Sequence, residues 1–174
     1  METLQNILTR RSVKKYKSTP VAKELIEKIV EAGTFAATGR NGQAPIILAI
    51  SNRQVRDELA KTNAQILGAP DGTDPFYGAP VVLVVLADKQ RNTRVYDGSL
   101  VMGNLMLAAH ELGLGSCWIH RAKETFELPS WKEYLKNLGI DGEYEGIGNC
   151  VIGYPDGEIP AAKPRKENWV YYVE

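Results

Sequence analysis

The sequence predicts a single domain of the α+β or mixed α/β class, with more helix than strand. Three observations carry this expectation. Segments with helical periodicity alternate with short β-branched runs, residues 81–86 are apolar without alternation, and residues 97–112 carry apolar groups around most of a helical circumference. With 174 residues, 44% of them hydrophobic and 24% charged, the chain is long enough to enclose one core, and the domain is taken as 1–174.

The elements follow in order. Residues 3–10 read as a short helix with Leu4, Ile7 and Leu8 on one face. A second helix is expected from Pro20 to about Thr38, its stripe formed by Leu25, Ile26, Ile29, Val30, Gly33 and Ala37. Residues 44–50 read as a strand, and Asn52 can cap a helix running to about Lys61. Residues 68–79 are too rich in Gly and Pro for regular structure. The 81–86 run is a strand covered on both faces. The helix expected over 97–112 (Leu100, Val101, Met102, Leu105, Met106, Leu107, Ala108, Ala109, Leu112) should be buried on nearly all sides. A chain this small can hardly surround such a helix, so a partner subunit is inferred. Residues 116–119 form a short strand. Pro129 opens a helix with Trp131, Tyr134, Leu135 and Leu138 inward and Gly139 as its stop. A last core strand is expected at 149–152. The tail Trp169-Val170-Tyr171-Tyr172-Val173 has strand propensity but needs another edge to pair with, on another chain if not on its own.

Charge and cysteine content narrow the function classes. Lys plus Arg equals Asp plus Glu at 21 each, so no net field attracts nucleic acid or an anionic membrane. Cys117 and Cys150 are far apart and outside any C-x-x-C pair, which argues against a disulfide framework, a zinc site or a redox dithiol. The N-terminus has no signal-peptide pattern, and no apolar run approaches the ~20 residues that span a bilayer. A reducing cytoplasm is the expected compartment.

Four polar clusters could carry chemistry. Arg10-Arg11-Ser12-Val13-Lys14-Lys15 could bind a phosphate through guanidinium and hydroxyl donors, although cations at a helix C-terminus also complement its dipole with no ligand. Pro164 keeps Lys163 and Arg165 extended and able to point the same way; a solvated basic turn is the competing reading. The two clusters together could neutralise one phosphate monoester. In Gly39-Arg40-Asn41-Gly42-Gln43, the two amides could read the polar edge of a heterocycle, or the segment could be a glycine-rich helix stop. Gly113-Leu114-Gly115-Ser116-Cys117-Trp118-Ile119-His120-Arg121 is not a dinucleotide fingerprint, because its glycines follow a helix and the third is missing. His110, on the buried helix, reads as a satisfied core residue. No hydrolytic motif is present.

In this order, the pieces resemble the FMN-dependent nitroreductase family over nearly the whole chain. The resemblance rests on Arg10-Arg11-Ser12, Asn41-Gly42-Gln43-Ala44-Pro45, Phe76-Tyr77-Gly78-Ala79-Pro80, Ala108-Ala109-His110-Glu111-Leu112-Gly113-Leu114-Gly115, Gly153-Tyr154-Pro155 and Lys163-Pro164-Arg165. It implies an α+β fold, a mixed and mainly antiparallel sheet flanked by helices, in an intertwined homodimer with two FMN molecules at the interface. The 97–112 helix would lie in the dimer core, and residues 168–173 would add a strand to the partner's sheet. The resemblance further implies that Arg10, Lys163 and Arg165 hold the FMN phosphate, with Arg11 beside them. Ser12 and Lys14 would contact phosphate, ribityl or pyrimidine atoms, and Gly39, Asn41 and Gln43 would reach the flavin from the other subunit. Ile119, His120 and Arg121 would lie along the isoalloxazine, with a backbone N–H near His120 or Arg121 donating to flavin N5. The implied activity is hydride transfer from NADH or NADPH through the flavin to a nitroaromatic, quinone or similar small-molecule electron acceptor. Reductive dehalogenation or flavin fragmentation on the same scaffold, and a non-catalytic phosphometabolite-binding dimer, are the alternatives. The chain departs from the family in placing His120-Arg121 where a small residue is expected beside N5. It is also short, with no insertion to form a substrate lid. A further pyrimidine contact is expected within 63–78.

Overall fold

The computed structural model describes residues 2–174. Four strands form one antiparallel sheet in the order β1 (Pro45–Ile50), β2 (Val81–Asp88), β4 (Tyr144–Gly153), β3 (Gly115–Ile119). The one parallel pairing among the described residues is an isolated bridge from Ser12 to Ser116, on the outer edge of β3. Helices α2 (Lys23–Thr34) and α4 (Arg94–Glu111) cover one face, while α3 (Arg53–Leu67), α5 (Ala122–Glu127) and α6 (Pro129–Asn137) cover the other. The short α1 (Thr3–Thr9) leans on α4. No described helix is long and apolar enough to cross a membrane.

Strand β2 is the centre of both cores. Val82, Val84 and Leu86 face α3 and α5, Val81, Leu83 and Val85 face α2 and α4, and all are essentially inaccessible. That two-sided burial is why the run lacks alternation. Asn52 caps α3 as expected, accepting from the Val55 N–H at 3.0 Å. The helix continues six residues beyond Lys61 before Gly68, in the left-handed region, ends it. Residues 68–79 are irregular but firmly tied. The Asp74 carboxylate accepts from the Phe76 and Gly78 N–H groups and pairs with buried Arg56, which also donates to the Ala79 carbonyl.

Several expected boundaries move. The second helix begins three residues after Pro20 and stops at Thr34, leaving Ala37 outside it and exposed. Helix α5 was not expected, because six residues are too few to show a 3.6-residue period. Strand β4 starts at Tyr144, well before Asn149; Glu145, Gly146 and Gly148 have weak strand propensity, and pairing with β2 overrides it. Leu138 is not inward but 53% exposed, because it lies just past the end of α6; Ile140 packs on the core instead.

The helix expected to be buried on nearly all sides is, within one chain, buried on one. Val101, Met102, Leu105 and Ala109 are sealed against the sheet, whereas Leu100 is 51% exposed and Tyr96 more so. Leu4, Ile7 and Leu8 of α1 also face outward, and α1 is joined to α4 by polar contacts, including Asn6 to the Leu107 carbonyl at 3.1 Å. Residues 169–173 form no strand with the other described residues and are exposed throughout. Three apolar surfaces are thus left without cover by a single chain.

Candidate functional site

The amino-terminal arm runs from the end of α1 along the free edge of β3. Ser12 bridges Ser116, the Val13 N–H donates to the Ser116 carbonyl at 3.0 Å, and the Tyr16 hydroxyl donates to the Val13 carbonyl. Val13 and Tyr16 are buried anchors, so the alternate residues Ser12 and Lys14 remain exposed beside the edge. Arg11 folds back through Nη1 onto the carbonyls of Leu8 and Arg10, which places its charge at the C-terminal end of α1.

Arg10 differs from Arg11. Its Nη1 is buried and meets no acceptor among the described residues. Its charge is felt by two neighbours. Burial, and after it the Arg10 charge, hold the His110 imidazole below its ordinary pKa. Burial pushes the Cys117 thiol up, against the opposing pull of the Ser12 hydroxyl, Lys14 and Arg10. Arg10, Ser12 and Lys14 therefore converge on the same stretch of β3. His110 is half-buried with Nε2 3.0 Å from the Thr9 hydroxyl, the satisfied role expected of it. A buried guanidinium N–H with no acceptor is costly, and an anion at that position would relieve the cost. Ser116 Oγ, buried and also without a hydrogen-bond partner among the described residues, lies on the same strand.

After β4 the chain returns along this arm. Tyr16 bridges Pro155, the Asp156 N–H donates to the Lys15 carbonyl, and Lys15 pairs with the Asp156 carboxylate at 2.8 Å. Residues 155–160 and 12–15 together wall a cleft. Beyond it the chain is exposed. Arg165 donates to the Lys163 carbonyl at 2.7 Å, and both residues are exposed. One chain thus brings residues 154–156 of the carboxy-terminal segment to the amino-terminal arm.

Gly39, Asn41 and Gln43 lie elsewhere. A 3-10 turn (Gly39–Asn41) leads into β1, and Arg40, Asn41 and Gln43 all have positive φ. Such backbone is held only when its surroundings insist on it. The holder is Asp97, buried in the first turn of α4, whose carboxylate accepts from the Gly39 N–H at 2.9 Å and from the Thr93 hydroxyl at 2.8 Å. The Thr38 hydroxyl accepts from the Gln43 N–H. Both amide side chains are left exposed, with only a long 3.4 Å contact between them. Asp97→Ala is expected to cost about 1.5–3 kcal/mol, the worth of hydrogen bonds to a charged group; a urea unfolding midpoint unchanged from wild type would remove Asp97 from this role. Since β1 and β3 are the two outer strands, the Asn41/Gln43 turn and the 119–121 segment are separated by three strand spacings, about 14 Å.

The 118–121 segment leaves β3 at the free edge. Ile119 is buried, His120 is exposed with its ring 6.0 Å from that of Trp118, and Arg121 sits at φ 74, left-handed, as the N-cap of α5. Trp118, His120 and Arg121 line a groove with Val95, Ser99 and Ile147. Within 63–78, Tyr77 is the residue that meets the arm, its ring 6.0 Å from Lys14 Nζ. Sequence reasoning missed Asp97, Asn63 and Asn149. The signal for Asn149 was a polar residue inside an apolar strand; Asn63 lay beyond the expected end of its helix.

A family model described as the nitroreductase family matches residues 7–154. A Methanothermobacter thermautotrophicus protein with the provisional description NADH dehydrogenase/NAD(P)H nitroreductase is 31% identical over 122 residues, covering 68% of this chain and 60% of its own length. The chain thus spans less than two thirds of that relative. A Vibrio harveyi NADPH-flavin oxidoreductase is 26% identical, with 94% of this chain and 69% of that protein aligned. The crystal structure of an FMN-bound nitroreductase from Bacteroides fragilis superposes with TM-score 0.88 at 25% identity, all of both chains being covered. An FMN-bound nitroreductase from Desulfitobacterium hafniense gives the same TM-score and full coverage at 26% identity. On the extent of the family match and the fold that accompanies it, this chain belongs to the nitroreductase family.

Proposed function

We propose that the chain is an FMN-dependent NAD(P)H oxidoreductase that works as a homodimer in the reducing cytoplasm. The observation that carries this reading is the division of the site between opposite edges of the sheet. The Arg10–Ser12–Lys14 arm and the 119–121 segment share the β3 edge, and the Asn41/Gln43 turn sits at the β1 edge. No single chain closes such a site; two chains with the α4 faces together would. The exposed apolar surfaces of α1, α4 and the 169–173 tail supply the contact, the tail as a strand on the partner's sheet.

The residues present suit the cofactor. Arg10 offers a buried N–H in want of an anionic acceptor, Ser12 and Lys14 stand beside it, and Lys163 and Arg165 lie on an exposed segment free to close over a phosphate. Gly39, Asn41 and Gln43 of the opposite subunit offer amide and backbone groups to the polar edge of the ring, and Ile119, His120 and Arg121 flank it. When bound, FMN supplies the redox chemistry that carries hydride from NADH or NADPH to a nitroaromatic, quinone or similar electron-poor acceptor. The protein's part is to bind, orient and polarise, and solvent can supply protons without a side-chain acid. The family resemblance and the FMN-bound neighbours support this reading. Purified protein should be yellow, and its visible absorbance should bleach with NADH or NADPH under anaerobic conditions and return with an added quinone or nitroaromatic. A colourless protein that takes up no FMN would overturn the proposal.

A further inference from the structure

The His120–Arg121 peptide is gripped from one side by two buried amides. Asn63 of α3 donates through Nδ2 to the His120 carbonyl at 2.8 Å, and Asn149 of β4 donates to the same oxygen at 3.2 Å. Asn149 Nδ2 also lies 3.4 Å from the Ile119 carbonyl. The two residues are 1% and 0% exposed, and in each the amide oxygen has no partner among the described residues. An amide in a core is costly unless its hydrogen bonds are made. These two leave their acceptors unsatisfied and direct their donors at the chain turn after β3. Asn149 also has apolar company: Cys150 and Val151, which follow it in the strand, and its cross-strand partner Val84 are fully buried. By strand propensity and burial alone, valine would suit this position better.

The geometry has a directional consequence. A planar trans peptide sets its N–H opposite its carbonyl. With the His120 oxygen drawn toward α3 and β4, the Arg121 N–H projects away from both asparagines, and it has no acceptor among the described residues. The left-handed φ of Arg121 is held by the same grip and by the first turn of α5, where the Thr125 N–H donates to the Arg121 carbonyl at 3.0 Å.

We propose that Asn63 and Asn149 are positioning residues that aim the Arg121 N–H, rather than that of His120, at N5 of the bound flavin. This rests on the flavin reading above and deepens it. A donor fixed in advance stabilises charge that develops on the reduced ring without reorganising, whereas a peptide free to turn does not. Neither asparagine touches the flavin in this account; both act through one carbonyl.

The test uses the FMN-loaded protein with Asn63→Leu, Asn149→Val and the double substitution. The double variant should bind oxidised FMN within about threefold of wild type. Its preference for reduced over oxidised FMN should fall about tenfold, a midpoint potential lower by about 30 mV for a two-electron couple. A folded double variant with an unmoved potential would overturn the proposal, because a purely structural pair would change stability and leave the potential alone. If the double variant does not fold, wild-type amide NMR decides: the Arg121 amide proton should shift when FMN is added and again when it is reduced. A resonance that responds to neither would overturn the proposal. A colourless wild-type protein overturns the flavin reading and this inference with it, whereas yellow protein with an unmoved potential overturns this inference alone.

Discussion

Arg10→Ala is expected to weaken FMN binding by about 1.5–3 kcal/mol, roughly ten- to a hundredfold in Kd, the range for a charge-assisted hydrogen bond. The expectation rests on the buried Nη1 of Arg10, which meets no acceptor among the described residues, and on its place beside Ser12 and Lys14. Lysine would keep the charge but lose the planar fork, so Arg10→Lys should recover only part of the affinity. Arg165→Ala should act in the same direction and more weakly, because its guanidinium is exposed and screened by solvent. Fluorescence titration of FMN into apoprotein measures all three. Affinity unchanged by Arg10→Ala would show that the orphaned donor faces no phosphate, and would return the arginines to the role of helix-end cations.

Gly146→Ala should destabilise the fold by about 3 kcal/mol, the upper part of the usual range for overpacking. A Cβ at this position would lie 2.2 Å from both the carbonyl carbon and oxygen of Ala122 and 2.6 Å from the Lys123 nitrogen. These are backbone atoms, so no rotamer change relieves the clash, and the first turn of α5 must move away from β4. Gly146 lies at the irregularity in the β2–β4 register, where Leu86 pairs with Gly146 and Val85 with Gly148. Arg121 immediately precedes the displaced turn, so FMN affinity should fall along with stability. Urea unfolding reports the first effect and flavin titration the second. A variant as stable as wild type would mean that α5 has room to retreat.

Much of the molecule is legible in local pattern. The unbroken apolar run of β2, the Asn52 cap, the Gly139 stop and the irregular 68–79 segment all appear where short-range chemistry places them. The missed elements are those whose stability is not local. Helix α5 is shorter than two turns, and the first half of β4 contains residues that form a strand only because β2 lies beside them. The candidate site was legible as a set of residues and not as an arrangement. Arg10, Ser12, Asn41, Gln43 and Arg121 could be picked out, but Asp97 and the paired asparagines are ordinary polar residues until the fold sets them against the backbone they hold.

Spacing, periodicity and residue type therefore dictated the class of fold, the kinds of element and the identity of the basic and amide clusters, since each depends on neighbours within a few residues. Packing alone decided that the clusters stand at opposite edges of one sheet, that Arg11 bonds the end of α1 while a buried Arg10 donor meets no acceptor among the described residues, and that the His120 carbonyl turns inward. These outcomes depend on contacts between segments tens of residues apart, and such contacts leave no periodic trace in the chain.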